Sequence, residues 1–252
     1  MLINKIGVIT QRGYDMNVPN HISIIPDGNR RCAKRLMKQP SKGHEWGVGK
    51  LRNVLDWCSE LGIKAVTIYS LSLENMEKRP KAELDFLMDL ARHEIKEMID
   101  KPDSLVHRNK VKLDFFGNLE LLPEDLRKDM ARAEEVTKSY TGSRLNIAIA
   151  YGGRQELVSA SKSIALQISQ GTLTPGQVDE MVVRQNLQTN GNPDPDLVIR
   201  TGGEKRISNF LIFQAAYSEL AFTDTFWPDL TKEEFMSIIR DYSSRQRRFG
   251  GQ

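Results

Sequence analysis

The sequence predicts one α/β domain on a mostly parallel central sheet of about six strands, flanked by helices. Three observations carry this. Apolar, β-branched runs recur along the chain, segments of helical period lie between them, and 252 residues at 39% hydrophobic suffice for one large core.

The strands are read at 22–25, 65–71, 111–116, 145–151, 197–199 and 220–222. After the second turn of chain, Val48, Leu51, Val54, Leu55, Cys58 and Leu61 share one face of a helix that Gly62 stops. Leu84, Leu87, Met88, Ala91, Ile95 and Met98 line one side of the next, with Asp85, Asp89, Arg92 and Lys96 opposite. Further helices are expected over 123–138, 154–170, 176–187 and 231–246, and 188–195 reads as a Pro- and Asn-rich loop. Strands alternating with helices give a mostly parallel sheet covered on both faces. Residues 1–20 read as an extension preceding the domain at 21–252, and their short apolar patch at 6–9 is neither a signal peptide nor a membrane span.

Charge and cysteine content narrow the class. Thirty-six Lys and Arg against 33 Asp and Glu leave a net charge of +3, too balanced to expect a nucleic-acid partner. Cys32 and Cys58 lack metal-ligand spacing and cannot build a disulfide framework, which points to a reducing compartment and a cytoplasmic protein.

In open α/β sheets, ligands bind beyond the carboxyl ends of the strands. The residues there share a character: Asp27-Gly28-Asn29-Arg30-Arg31, Ser72-Leu73-Glu74-Asn75, Gly152-Gly153-Arg154, and Arg200-Thr201-Gly202-Gly203-Glu204-Lys205-Arg206. Glycines let backbone N–H groups approach an anion, and arginines grip phosphate oxygens in a fork. Each turn alone is an ordinary bend. Turn formation needs the glycines but not the arginines, so their recurrence at one edge points to a polyphosphate ligand. Walker A, Gly-x-Gly-x-x-Gly and Gly-x-Ser-x-Gly sequences are all missing, which argues against P-loop, dinucleotide and serine-hydrolase chemistry. Of the histidines, His44 lies near the first phosphate turn, while His21, His93 and His107 carry no metal spacing. Magnesium favours carboxylates together with substrate phosphates, so Asp27 and Glu219 are the candidates, with Asp27 the stronger.

These motifs, with Gly43-His44, Tyr151-Gly-Gly-Arg154, the run from Asp196 to Phe210 and the terminal Arg247-Arg-Phe-Gly-Gly251, resemble the cis-prenyltransferases, of which undecaprenyl diphosphate synthase is the best-known type. The match spans about residues 20 to 251. The resemblance implies a Mg²⁺-dependent homodimer that joins isopentenyl diphosphate to an allylic prenyl diphosphate and makes a cis-polyprenyl diphosphate for a glycosyl carrier lipid. It gives Asp27 the metal and departure of the allylic diphosphate, whose oxygens meet Gly28, Asn29, Arg30, Arg31 and His44. Arg200, Arg206 and Ser208 take isopentenyl diphosphate, with Arg248 and Gly250 of the neighbouring tail closing over it, and Glu219 is the second acidic position. Ser72, Glu74 and Asn75 match a mobile loop that closes over substrate and helps proton loss. It further implies an apolar tunnel, with helix faces through Val54 and Leu87 as its lining, and peripheral membrane contact through the lipid product.

Pro26, Pro40, Met76, Ala150 and Lys205 depart from the commonest bacterial pattern, and the loop carries an extra residue before Arg79. The Pro-Asp-Gly-Asn-Arg-Arg and Gly-His-Glu forms look closer to archaeal and eukaryotic members. Two rivals stay open: the same fold making short or irregularly joined products, and a non-catalytic partner subunit.

Overall fold

The computed structural model describes residues 8–9 and 15–245. A short antiparallel pair, β1 (Val8–Ile9) and β2 (Asp15–Met16), precedes β3 (His21–Ile25), α1 (Asn29–Arg35), α2 (Pro40–Glu60) and β4 (Ala65–Ser72). Next come α3 (Leu73–Lys78), α4 (Lys81–Asp100), α5 (Leu105–Arg108), β5 (Val111–Phe116), α6 (Glu124–Thr137), β6 (Ser143–Tyr151), α7 (Gly153–Ser169) and α8 (Glu180–Gln185). β7 (Leu197–Arg200), β8 (Glu219–Phe222) and α9 (Lys232–Ser244) complete the described chain.

Six strands form one sheet in the order β5-β6-β4-β3-β7-β8, every neighbouring pair parallel. Burial on both faces explains why these strands read as continuous apolar runs. Alternation still sorts them. Ile22, Ile24, Val66, Ile68, Leu145, Leu197 and Ile199 enter the larger core beneath α2, α4, α6 and α9, while Ile25, Tyr69, Ala148 and Val198 face Phe210 and Leu211 on the other side. That second face also buries a polar row, with His21 and Asn146 both bonded to the hydroxyl of Thr67 at 2.7 and 3.0 Å.

The expected helices at 123–138, 154–170 and 231–246 are α6, α7 and α9 within a residue or two. The one expected over 176–187 is broken into a single 3₁₀ turn, Pro175–Gln177, and α8, because Asp179 turns its side chain to the N–H of Val182 at 2.9 Å and starts a new helix. The segment read as a substrate-closing loop, Ser72-Leu73-Glu74-Asn75, forms the cap and first turn of α3, with the Ser72 hydroxyl accepting from the N–H of Asn75 at 3.1 Å. A register shift between β4 and β6 at Tyr69 to Ser72 leads the strand into that helix.

The residues just before β3 pack against the fold: Met16 and Val18 touch the larger core, and Asn17 N–H donates to Ser243 Oγ on α9 at 2.9 Å. Among the described residues, no helix is long and apolar enough to cross a membrane.

Candidate active site

The chain leaves β3 towards β4 on one side and leaves β7 towards β8 on the other, so a crevice opens past the carboxyl ends of these two neighbouring strands. Asp27 and Arg200 occupy it. Thr201 fixes the Asp27 main chain twice, its hydroxyl accepting from the N–H at 3.0 Å and donating to the carbonyl at 2.8 Å. The Asp27 carboxylate accepts from Arg200 Nη2 at 2.9 Å and from Arg31 Nη2 at 3.0 Å. Burial alone would push this carboxyl up, but the hydrogen bonds and charges of Arg200 and Arg31 outweigh it and hold Asp27 below its ordinary value.

Arg200 is only 5% exposed. Its other terminal nitrogen donates to Arg206 O and to Ser208 Oγ, both at 2.6 Å, so the guanidinium joins the two sides of the crevice. Arg206 itself is exposed and pairs with Glu204. Gly202 sits at φ 83°, and a Cβ there would stand 2.7 Å from Arg31 Nη2 and 3.0 Å from the Asp27 carbonyl carbon, so glycine is required by conformation and by space. α1 begins at Asn29 with no side-chain cap, which leaves its first N–H groups to the crevice. Its own side chain turns to α2, where Gly47 gives it room, so Asn29 faces the pocket through its main chain.

A carboxylate that the sequence did not single out organises the cations. Glu83, in the first turn of α4, accepts from Arg79 Nη1 at 2.9 Å, meets His44 Nε2 at 3.1 Å and lies 3.7 Å from Arg30. Burial pulls His44 below its ordinary value; the bond to Glu83 opposes this and the charge of Arg79 adds to it. Arg30, Arg31, Arg79 and His44 line one polar pocket with Asp27. Arg79 was noted only for the extra residue before it. Its spacing of four from Glu83, across the Pro80 that starts α4, is the signal that points to the pair.

Beside this pocket lies an apolar cavity of about 140 Å³ between the sheet and α2 and α4. Leu87 lines it as expected. From the α2 face through Val54, Val48 and Leu51 form the other wall, while Val54 itself is buried in the core. Pro26, Asn29 and His44 border both spaces.

One expected site residue lies elsewhere. Glu219 does not join Asp27 within one subunit. It starts β8 level with Leu197, three residues or about 10 Å before the strand ends beside Arg200, and it pairs with Arg245 at 2.8 Å. Arg248 and Gly250 fall outside the described residues. Glu74 is brought to the crevice side of α3 and accepts from Asn209 Nδ2 at 2.9 Å, while Asn75 is exposed. Among the described residues no three His, Cys, Asp or Glu side chains group as a metal site, whereas Asp27 alone offers a part-exposed, ionised hard-oxygen ligand at the anion pocket. That suits an ion completed by substrate phosphates.

Comparison with known proteins agrees with this geometry. The family described as "Putative undecaprenyl diphosphate synthase" matches residues 25–250. The geranylgeranyl-diphosphate-specific tritrans,polycis-undecaprenyl-diphosphate synthase of Thermococcus kodakarensis is 46% identical over 93% of this chain and 88% of its own length. The enzyme of the same name from Methanopyrus kandleri is 44% identical over 96% and 89%. Among solved structures, lavandulyl diphosphate synthase from Lavandula x intermedia, in complex with dimethylallyl diphosphate, superposes with a TM-score of 0.87 at 34% identity, covering 93% of this chain and 99% of that one. A probable undecaprenyl diphosphate synthase from Campylobacter jejuni gives 0.76 at 33% identity over 94% and 100%. With a phosphate-suited crevice at the β3/β7 switch point, an apolar cavity beside it and a family match over nearly the whole domain, this chain belongs to the undecaprenyl diphosphate synthase family of cis-prenyltransferases.

Proposed function

We propose that this chain condenses isopentenyl diphosphate onto geranylgeranyl diphosphate, the starter in its archaeal relatives' names, releasing diphosphate at each addition. The product is a cis-polyprenyl diphosphate of medium length, a precursor of a glycosyl carrier lipid. The observation that supports this best is the shared border at Pro26, Asn29 and His44 between the arginine-lined pocket and the apolar cavity. A molecule with a charged head and a hydrocarbon tail fits across that border. Diphosphate takes the arginine forks, and each buried methylene contributes about 0.8 kcal/mol.

Departure of the allylic diphosphate builds negative charge on its oxygens. Arg30, Arg31, Arg79, His44 and the Gly28 and Asn29 main chain meet that charge in fixed positions, so they stabilise the transition state more than the ground state. Asp27 would hold Mg²⁺, which would supply charge neutralisation to the leaving diphosphate. Arg200, Arg206 and Ser208 hold isopentenyl diphosphate, and Arg248 and Gly250 of the partner subunit's tail close over it in a homodimer. Ser72, Glu74 and Asn75 cover the substrate and assist proton loss. The cavity under α4 is the start of the tunnel for the growing tail. The catalytic domain is 21–252, and contact with a membrane is peripheral, through the lipid product.

Mass spectrometry of products from the purified chain tests this, using Mg²⁺, isopentenyl diphosphate and a geranylgeranyl, farnesyl or dimethylallyl starter. A ladder spaced by one isoprene unit is expected, with the fastest turnover from geranylgeranyl diphosphate. A product from dimethylallyl diphosphate alone would replace this reading with irregular joining, which the departure at Met76 raises. No turnover without a second protein would make the chain a partner subunit.

A further inference from the structure

Asn209 ties together the segments that follow three strands. Its carbonyl accepts from Gly153 N–H and its Oδ1 from Arg154 N–H, both at 2.8 Å, which caps α7 after β6. Its Nδ2 donates to Glu74 Oε1 at 2.9 Å, on α3 after β4. Its own main chain belongs to the loop after β7, next to Ser208, whose hydroxyl Arg200 grips.

That loop is held in an uncommon shape. Ser208, Asn209 and Leu211 lie at φ 49°, 63° and 46°, and asparagine tolerates this region better than most residues. Buried Phe210, stacked on Tyr69 at 4.4 Å, and buried Leu211 fix the conformation, so the loop responds as one unit. The bond to Glu74 is charge-assisted, since hydrogen bonds from its own main chain, Asn209 and Ser72 outweigh the effect of burial and keep this carboxyl below its ordinary value.

We propose that Asn209 is a positioning residue: by holding Glu74 it transmits occupancy of the isopentenyl diphosphate site at Arg200, Arg206 and Ser208 to the α3 segment that covers the allylic substrate. This rests on the substrate assignment made above. The second substrate then orders the cover over the first.

Amide hydrogen exchange with isopentenyl diphosphate alone tests the link without turnover. In the unaltered chain the ligand is expected to slow exchange at 200–208 and at 73–78. Asn209→Asp keeps an acceptor for α7 and tolerates the same backbone, but sets a carboxylate against Glu74. Protection at 200–208 is expected to persist, while that at 73–78 falls about tenfold, the scale of one charged hydrogen bond. Glu74→Ala breaks the same bond from the other side with the α7 cap intact, and the same loss is expected, so the test stands even where the aspartate variant folds poorly. Protection at 73–78 that survives both changes overturns the link. No protection at 200–208 in the unaltered chain overturns instead the substrate assignment beneath it.

Discussion

The carboxylate of Asp27 and the guanidinium of Arg200 meet at 2.9 Å although 173 residues separate them, and the contact closes the crevice between β3 and β7. Asp27→Ala is expected to lower turnover about a thousandfold, by removing the proposed ligand of Mg²⁺ and freeing a buried cation. Arg200 keeps its bonds to Arg206 O and Ser208 Oγ, so the loss of stability stays near 1–3 kcal/mol. Steady-state rates and thermal melts of the same preparation separate the two effects. A near-normal rate would remove Asp27 from the chemistry.

Glu83→Ala releases Arg79, His44 and Arg30 from their common partner. The donors then lose fixed positions, and KM for the allylic diphosphate should rise about tenfold. KM for isopentenyl diphosphate should stay within about twofold, because its proposed site lies after β7. Equal changes in both constants would show that Glu83 merely supports the fold.

Gly202→Ala and Gly171→Ala make a matched pair. Both glycines have positive φ, at 83° and 72°, but a Cβ at Gly171 meets open space whereas one at Gly202 strikes Arg31 and the Asp27 main chain. The Gly171 change should cost about 1 kcal/mol from backbone strain alone. Denaturation should show the Gly202 change costing more, roughly 2–4 kcal/mol with the added displacement, and activity should fall with it. Equal costs would contradict the close approach.

His21 sets an acid-side limit on stability. Burial opposes its charge more than Pro193 and Asp196 favour it, so its value in the fold lies below the ordinary 6.5. A group lowered on folding contributes stability above its unfolded value and loses it as pH falls through the folded one. The melting temperature should therefore decline below about pH 6.5. His21→Asn, less stable throughout, should show a shallower decline over that interval in melts at stepped pH. Parallel curves would assign the acid sensitivity elsewhere.

Ala91→Phe fills part of the cavity between the sheet and α4. Product profiles should shift to shorter chains while the first condensation continues, at a packing cost of about 1–3 kcal/mol. An unchanged profile would mean that the growing tail takes another route.

Much of this was legible from residue pattern. The six strands announced themselves because both faces of the sheet are buried, and Asp27, Arg31 and Arg200 did so because anion chemistry needs those side chains after strands, while His44, within α2, stood out only for its nearness to the first of those turns. Short helices did not. α1 buries only Cys32 and Ala33, too few for a visible period, and α3 spans six residues with none buried. Glu83 read as one more polar residue, since two of its three partners lie 39 and 53 positions away in sequence. The depth of Glu219 along the sheet, level with Leu197, was not legible, because local pattern fixes that a strand exists but not how far along its neighbours a given residue falls. Register is a property of the assembled sheet.

The two hydrogen bonds between the Thr201 hydroxyl and the Asp27 main chain matter for a catalyst that repeats one addition many times. Through a single hydroxyl they tie the end of one central strand to its neighbour and fix the Asp27 main chain in the crevice. With that end stationary, a reaction at the proposed Asp27 site would push the tail onward from the same origin in each round, and product length would be measured from there, as on a ruler whose zero mark is pinned.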